Sequence, residues 1–186
     1  MLAKAERSIP AALYREPRWY ACYTRARAEK KTAEVLARRG FEAYLPLVAR
    51  ERQWQDRRKV VEFPAFPSYV FLRFRLTELH EVIRTPGVST VVRVRGYPTP
   101  IADEEVENIR RFVQALPASG VVADSRPFLA EGQWVRVREG PLEGVKGVIA
   151  ERRSRTRFLV GLSTIGQGLE VDMDGRVLEP IRGPWN

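Results

Sequence analysis

Phe63-Pro64-Ala65-Phe66-Pro67-Ser68-Tyr69-Val70-Phe71-Leu72-Arg73-Phe74 decides how the first half of this chain folds. Pro64 and Pro67 carry no backbone N–H, so residues 63–68 cannot form a central strand. Tyr69 to Arg75 then alternates as a pleated strand does, with successive side chains on opposite faces. Val70, Leu72 and Phe74 make one face, uniformly apolar, and predict a core. Tyr69, Phe71 and Arg73 make the other. That face sets two large aromatics beside a rigid proline turn, more than one core usually needs. Two readings stand: the rings await a partner, or they fill this chain's own interior.

The chain on either side supplies strands and helices in mixed order. Residues 1–17 read as a tail with two prolines. Arg18 to Thr24 is short and aromatic, a first strand with Trp19, Ala21 and Tyr23 on one face. Arg27 to Arg39 lacks Gly and Pro and predicts a helix with Ala33, Leu36 and Ala37 as its stripe, stopped at Gly40. Arg50 to Lys59 is strongly polar apart from Trp54 and reads as an extended basic hairpin or loop. It suits phosphates, or is a soluble hairpin and no more, and Trp54 either stacks on a base or packs beneath it. Thr77 is placed as the cap of a helix to about Arg84. Val88 to Val94 is β-branched and predicts a strand. Asp103 is placed as the cap of a helix to Leu116, with Val106, Ile109, Phe112, Val113 and Leu116 at helical spacing.

Pro117 to Pro127 breaks the periodicity and reads as a linker. Beyond it, Trp134 to Arg138, Val145 to Glu151, Arg157 to Leu162, Leu169 to Met173 and Arg176 to Glu179 predict five short strands, a texture typical of a small barrel or sandwich. The expected organisation is therefore a tail at 1–17, an α+β domain at 18–116 with helices packed on an antiparallel sheet, a linker at 117–128 and a small all-β domain at 129–182.

Composition bounds the function. The 186 residues carry a net charge of +9, which favours a nucleic-acid or other acidic partner. Residues 1–116 hold 22 Lys and Arg against 14 Asp and Glu, while residues 117–186 hold 10 against 9, so the two halves should meet different partners. One cysteine, Cys22, and one histidine, His80, leave no internal disulfide, no cysteine metal cluster and a poor catalytic inventory. No phosphate-cradling glycine loop or nucleophile–base pair is evident, so no cofactor, metal or enzyme activity is expected. Without a membrane-length apolar run or a secretory leader, a cytoplasmic monomer is the default.

Both halves resemble the NusG family of bacterial transcription elongation factors. Trp19-Tyr20 in the first strand, Phe66-Pro67-Ser68-Tyr69-Val70-Phe71, Arg84-Thr85-Pro86-Gly87-Val88 and Pro100-Ile101-Ala102-Asp103-Glu104-Glu105-Val106 are similar to that family's N-terminal (NGN) domain. Glu131-Gly132-Gln133-Trp134-Val135-Arg136-Val137 with Gly140-Pro141-Leu142-Glu143-Gly144-Val145-Lys146-Gly147 is similar to a KOW motif, which implies an SH3-like barrel. Ser68 stands where the general factor has glycine. Arg52-Gln53-Trp54-Gln55-Asp56-Arg57-Arg58-Lys59 resembles the UpxY type, antiterminators of surface-polysaccharide operons.

The resemblance implies a mechanism by binding alone. The NGN domain would dock on the clamp of bacterial RNA polymerase through Tyr23, Phe66, Tyr69 and Phe71 and suppress pausing. Thr77, Glu78, Leu79 and His80 would make a second contact across the cleft, although the His-Thr-Thr pattern of RfaH-like members is absent. Arg25, Lys31 and Arg84 would meet the non-template DNA strand. Leu142, Ile165, Gly166 and Gln167 would present the KOW domain to ribosomal protein NusE or to Rho. The alternative is a ribosome- or RNA-associated KOW protein. RfaH-like members can mask the docking face with a helical C-terminal half. The valines and glycines here predict instead a stable barrel, freely tethered.

Overall fold

The computed structural model describes residues 10–54, 57–128, 132–152 and 155–183. The first nine residues of the expected tail, Gln55 and Asp56 of the basic stretch, and Glu131 of the KOW motif lie outside the described residues, as does the side chain of Trp54. A short helix, α1 (Ala12–Arg15), precedes the first strand.

The N-terminal half contains β1 (Arg18–Thr24), α2 (Glu29–Arg38), β2 (Glu42–Tyr44), β3 (Leu47–Trp54), β4 (Arg57–Pro64), β5 (Tyr69–Phe74), α3 (Leu79–Ile83), β6 (Val88–Val91), β7 (Arg93–Val94), β8 (Tyr97–Pro98) and α4 (Asp103–Ser119). Four of the strands form one sheet in the order β2-β5-β1-β6. β5 pairs antiparallel with β1, in a register that sets Tyr23 opposite Tyr69, Ala21 opposite Phe71 and Trp19 opposite Arg73. β3 and β4 form a separate two-stranded hairpin, which decides between the hairpin and the loop left open for this basic stretch.

Alternation in β1 and β5 divides the core in two. Tyr20, Cys22, Val70, Leu72 and Phe74 face Leu36 of α2 and Val82 of α3. Trp19, Ala21 and Phe71 face the other way, toward Val106, Ile109, Phe112 and Leu116 of α4. The apolar face read from Val70, Leu72 and Phe74 is thus core, and so is most of the aromatic face.

Several element ends differ from expectation for local reasons. Arg27 has φ 59°, a left-handed conformation that no helix interior holds, so α2 starts at Glu29. Thr77 lies inside a 3₁₀ turn, Leu76–Glu78, and the cap is made two residues earlier, at Arg75, whose N–H donates to the Glu78 carboxylate at 2.7 Å. Asp103 is the first helical residue of α4 rather than its cap: Ala102 precedes it in extended conformation, and Glu105 accepts the Ala102 N–H at 3.2 Å. α4 also runs through Pro117 to Ser119 and stops at Gly120, whose φ is 67°.

The C-terminal half holds β9 (Asp124–Pro127), β10 (Gln133–Val137), β11 (Lys146–Arg152), β12 (Arg155–Leu162), β13 (Gln167–Met173) and β14 (Leu178–Pro180). They form one six-stranded sheet in the order β14-β10-β11-β12-β13-β9. The closed SH3-like barrel expected from the KOW resemblance is not formed. β14 and β9 are the outer strands and do not pair with each other. Both are short and end on proline, which has no N–H to extend a ladder. β9 comes from the stretch read as linker and pairs with β13.

Nor is this half freely tethered. Val135, Val137, Leu142, Val145 and Phe158 share one buried cluster with Trp19, Phe66, Phe71 and Phe112 of the N-terminal half.

Candidate partner-binding site

The register places the end of β1, the end of β2 and the start of β5 at one end of the sheet. There Tyr23 and Tyr69 meet edge to face, with ring centroids 5.3 Å apart. Tyr23 is 43% exposed, and Tyr69 is partly buried against the large core. Burial, together with the neighbouring Tyr23 hydroxyl, raises the Tyr69 phenol above its ordinary pKa. One pleat inward the environment changes. Phe71 and Phe66 are each 1% exposed and meet edge to face at 5.6 Å. Tyr44 lies 6.3 Å from Phe71, with the Arg110 guanidinium over its ring. Of the four docking candidates, two are therefore accessible and two are sealed.

The turn before β5 is held by a buried carboxylate. Ser68 has φ 66°, and its N–H donates to Glu29 Oε1 at 2.7 Å. Its carbonyl accepts the Thr24 N–H at 2.8 Å, which ties the turn to the end of β1. Gly87 approaches this corner from the other side and accepts the Arg25 N–H at 3.0 Å. A Cβ at Gly87, where φ is 98°, would stand 2.1 Å from Thr32 Oγ1, so only glycine fits.

A seam closes over the sealed part. Asn108 on α4 exchanges two hydrogen bonds with the backbone of Lys146 on β11, at 2.7 and 2.9 Å. The rings of Phe112 and Phe158 meet 6.5 Å apart. Arg50 of β3 donates to the Ala123 carbonyl at 3.2 Å and pairs with Asp124, and Ser125 Oγ donates to the Ala65 carbonyl at 3.1 Å. The sequence reading missed Asn108. Its signal was available: a lone carboxamide beside Ile109 and one turn before Phe112, on the face of α4 that turns inward.

A profile of the family described as transcription termination factor NusG matches residues 17–110, just over half of the chain. The chain belongs to the NusG family. NusG proteins are transcription factors that act without catalysis, and membership carries a general role in transcription elongation and antitermination. The transcription termination/antitermination protein NusG of Rickettsia prowazekii is 26% identical over 178 residues, covering 89% of this chain and 91% of its own. The protein of the same description from Neisseria meningitidis serogroup B is 32% identical over 130 residues, covering 67% of this chain and 71% of its own. A solved structure described as a domain interaction in Thermotoga maritima NusG covers 91% of this chain and 99% of its own at 23% identity, with a TM-score of 0.51.

The remaining NusG-type candidates fall in three places. Thr77 and His80 are exposed beside half-buried Glu78 and Leu79, and Leu79 packs on the smaller core. Arg25, Lys31 and Arg84 are exposed on the side of the sheet that carries α2 and α3. Leu142 is 3% exposed in the shared core, and Ile165 is partly buried against that same core. Gly166, with φ 63°, turns between β12 and β13, and its carbonyl accepts the Phe128 N–H at 3.0 Å. Gln167 opens β13 opposite Pro127. No group of metal-ligating side chains occurs among the described residues, and none of their helices is long and apolar enough to cross a membrane.

Proposed function

We propose that this chain binds bacterial RNA polymerase through the Tyr23–Tyr69 end of its N-terminal sheet, suppresses pausing and carries a second partner on its C-terminal half. The observation that supports this reading is a pair of aromatic rings, one of them 43% exposed, at the rim of an otherwise sealed aromatic face. Accessible aromatics on a rigid turn are the residues that dominate protein interfaces. A helical tip on the polymerase clamp would take Tyr23 and Tyr69 first. It would reach Phe66 and Phe71 once the C-terminal sheet lifts from α4.

On the opposite side, Arg25, Lys31 and Arg84 face the non-template DNA strand. Thr77 to His80 face the far wall of the cleft. Ile165, Gly166 and Gln167 are the part of the C-terminal half open to NusE or Rho, and Leu142 joins them only when the seam opens. The UpxY-like hairpin points to surface-polysaccharide operons as targets.

The test is capture of purified RNA polymerase by the full chain and by a Tyr23→Ala, Tyr69→Ala double variant. The variant should bind at least about tenfold more weakly, as loss of an aromatic hot spot requires, while melting cooperatively. Equal capture by both proteins would remove the reading. Phe71→Ala is unsuitable, because a side chain 1% exposed is lost from the core as well.

A further inference from the structure

The turn that presents Tyr69 has a form its own residues do not choose unaided. The Tyr69 N–H donates to the Phe66 carbonyl at 3.2 Å, Pro67 stands second in the turn, and Ser68 stands third with φ 66°. That is a type II turn, whose third position suits glycine, because a Cβ in the left-handed region is strained. Proline in second place is equally at home in a type I turn, where the third residue keeps a negative φ and serine is unstrained. The two forms differ by a flip of the Pro67–Ser68 peptide, so they aim the Ser68 N–H in opposite directions.

That N–H is met by a carboxylate. Glu29 Oε1, in the first turn of α2, accepts it at 2.7 Å. Glu29 is 6% exposed, so the bond is made away from water. A hydrogen bond to a charged acceptor is about twice as strong as a neutral one. Thr24 and Thr32 bring buried hydroxyls to the same corner, but neither has a hydrogen-bond partner among the described residues, so neither accepts the Ser68 N–H in place of Glu29. On its other side Ser68 offers its carbonyl to the Thr24 N–H at 2.8 Å. One serine is thus joined to both exposed tyrosines, preceding Tyr69 in the chain and bonded to the residue after Tyr23.

We infer that Glu29 is a positioning residue for partner binding: its buried carboxylate holds residues 66–69 in the type II form and so keeps Tyr69 against Tyr23 as one docking surface. The part the tyrosines play in docking rests on the proposed function; the selection of the turn rests on Glu29 and Ser68 alone. Without the carboxylate, a flip to type I relieves the strain at Ser68 and turns its N–H away from the vacated corner. Tyr69 opens β5, so a flip one peptide before it re-aims the ring that meets Tyr23 at 5.3 Å. Only chains that hold the type II turn then present the pair, and apparent affinity falls with that fraction. An acid in the first turn of α2 would favour the helix dipole from an exposed position just as well. Burial against the backbone of another segment adds nothing to that effect and fits the positioning role.

Capture of purified RNA polymerase, titrated for the full chain and its variants, tests this. Glu29→Ala should bind about 3- to 10-fold more weakly, because losing a charged acceptor shifts the turn equilibrium. Glu29→Gln keeps an acceptor oxygen and should recover most of that loss. Ser68→Gly should bind as the parent does. The decisive protein combines Glu29→Ala with Ser68→Gly: glycine holds the left-handed position unaided, so parent-like capture should return. If Glu29→Ala captures as the parent does, or if adding Ser68→Gly leaves its loss unrepaired, Glu29 only builds the fold and the inference falls. Proton NMR of the Tyr69 ring in the same proteins separates the two claims. The ring resonances should move in Glu29→Ala and return in the combined variant; resonances that stay in place sink the inference whatever polymerase does. Moved resonances in a chain whose parent captures no polymerase sink the proposed function, and the docking role with it, while the selection of the turn stands.

Discussion

Asn108 grips the backbone of Lys146 from both sides. Its carboxamide nitrogen donates to the Lys146 carbonyl at 2.7 Å, and its oxygen accepts the Lys146 N–H at 2.9 Å. A side chain on a helix of one half thus completes a peptide-like pair with a strand of the other, next to the ladder in which Lys146 opposes Arg136. Asn108→Ala should remove both bonds. Leaving partly buried backbone groups without them costs about 1–3 kcal/mol, enough to raise the population of the open seam roughly 5- to 150-fold if the closed state alone bears that cost. Amide exchange at Lys146 should quicken. Under the proposed function polymerase capture should also strengthen, because Phe66 and Phe71 become reachable. Exchange at Lys146 as slow as in the parent would mean that the carboxamide does not hold the seam.

The apolar part of that seam is carried by Phe112 and Phe158, both 0% exposed, with rings 6.5 Å apart. Phe158 also lies directly over Gly147, where a Cβ would stand 2.6 Å from its ring. Truncating such a ring leaves a cavity that neighbours fill only in part. Phe158→Ala should therefore cost about 3–5 kcal/mol in urea unfolding. If Phe158 belonged only to the C-terminal sheet, Phe112→Ala and the double variant would give additive losses. A coupling between the two substitutions of about 0.5 kcal/mol or more places their interaction across the seam.

The sequence made the two faces of β5 legible because period-two alternation is unambiguous when one face is wholly apolar. Val70, Leu72 and Phe74 could only be core. It did not decide the fate of Phe66 and Phe71, because the buried cluster they join is completed by residues far along the chain, among them Phe112, Val135 and Phe158. The same long-range packing explains the open sheet. Turn glycines and alternating valines specify short antiparallel strands equally well in a barrel or in an open sheet. What chooses is whether the first and last strands meet, and Pro127 and Pro180 at their ends carry no signal of pairing until the register is known. Glu29 was hidden for another reason: an acid in the first turn of a helix reads as a partner for its dipole until Ser68 is seen against it.

Ser68 occupies a left-handed conformation, φ 66°, in the turn that presents Tyr69. A residue with a Cβ there is strained by about 1–2 kcal/mol; glycine relieves this but has more freedom to lose on folding. Ser68→Gly should therefore raise the melting temperature by a few degrees, since about 1 kcal/mol moves a chain of this size by roughly 2–4 °C. The N–H bond to Glu29 at 2.7 Å involves the backbone and survives the change. Ser68→Ala keeps the Cβ and should give no such gain. A scanning-calorimetry trace in which glycine and alanine melt together would show that the turn stores no strain.

Cys22 lies mid-strand in β1 with 0% exposure, packed against Val70 and opposite Val91 on the edge strand. Burial pushes its thiol up to about 12 from an ordinary 9. The thiolate is the reactive form, so the native thiol should resist alkylation at pH 8 and label fully in denaturant. Its labelling rate then reports opening of the N-terminal sheet. The sign of the alkaline effect follows from the same shift. The folded state holds its proton more tightly, so the stabilisation is complete below pH 9 and is lost as pH rises from 9 toward 12. Tyr20, raised to about 12 by burial, adds in the same direction at the upper end of that range. Cys22→Ala should remove the part of the alkaline loss that begins near pH 9 and leave the tyrosine part in place. A parent and variant with superimposable stability–pH curves above pH 9, or rapid native labelling at pH 8, would show that the β1 interior is open to solvent.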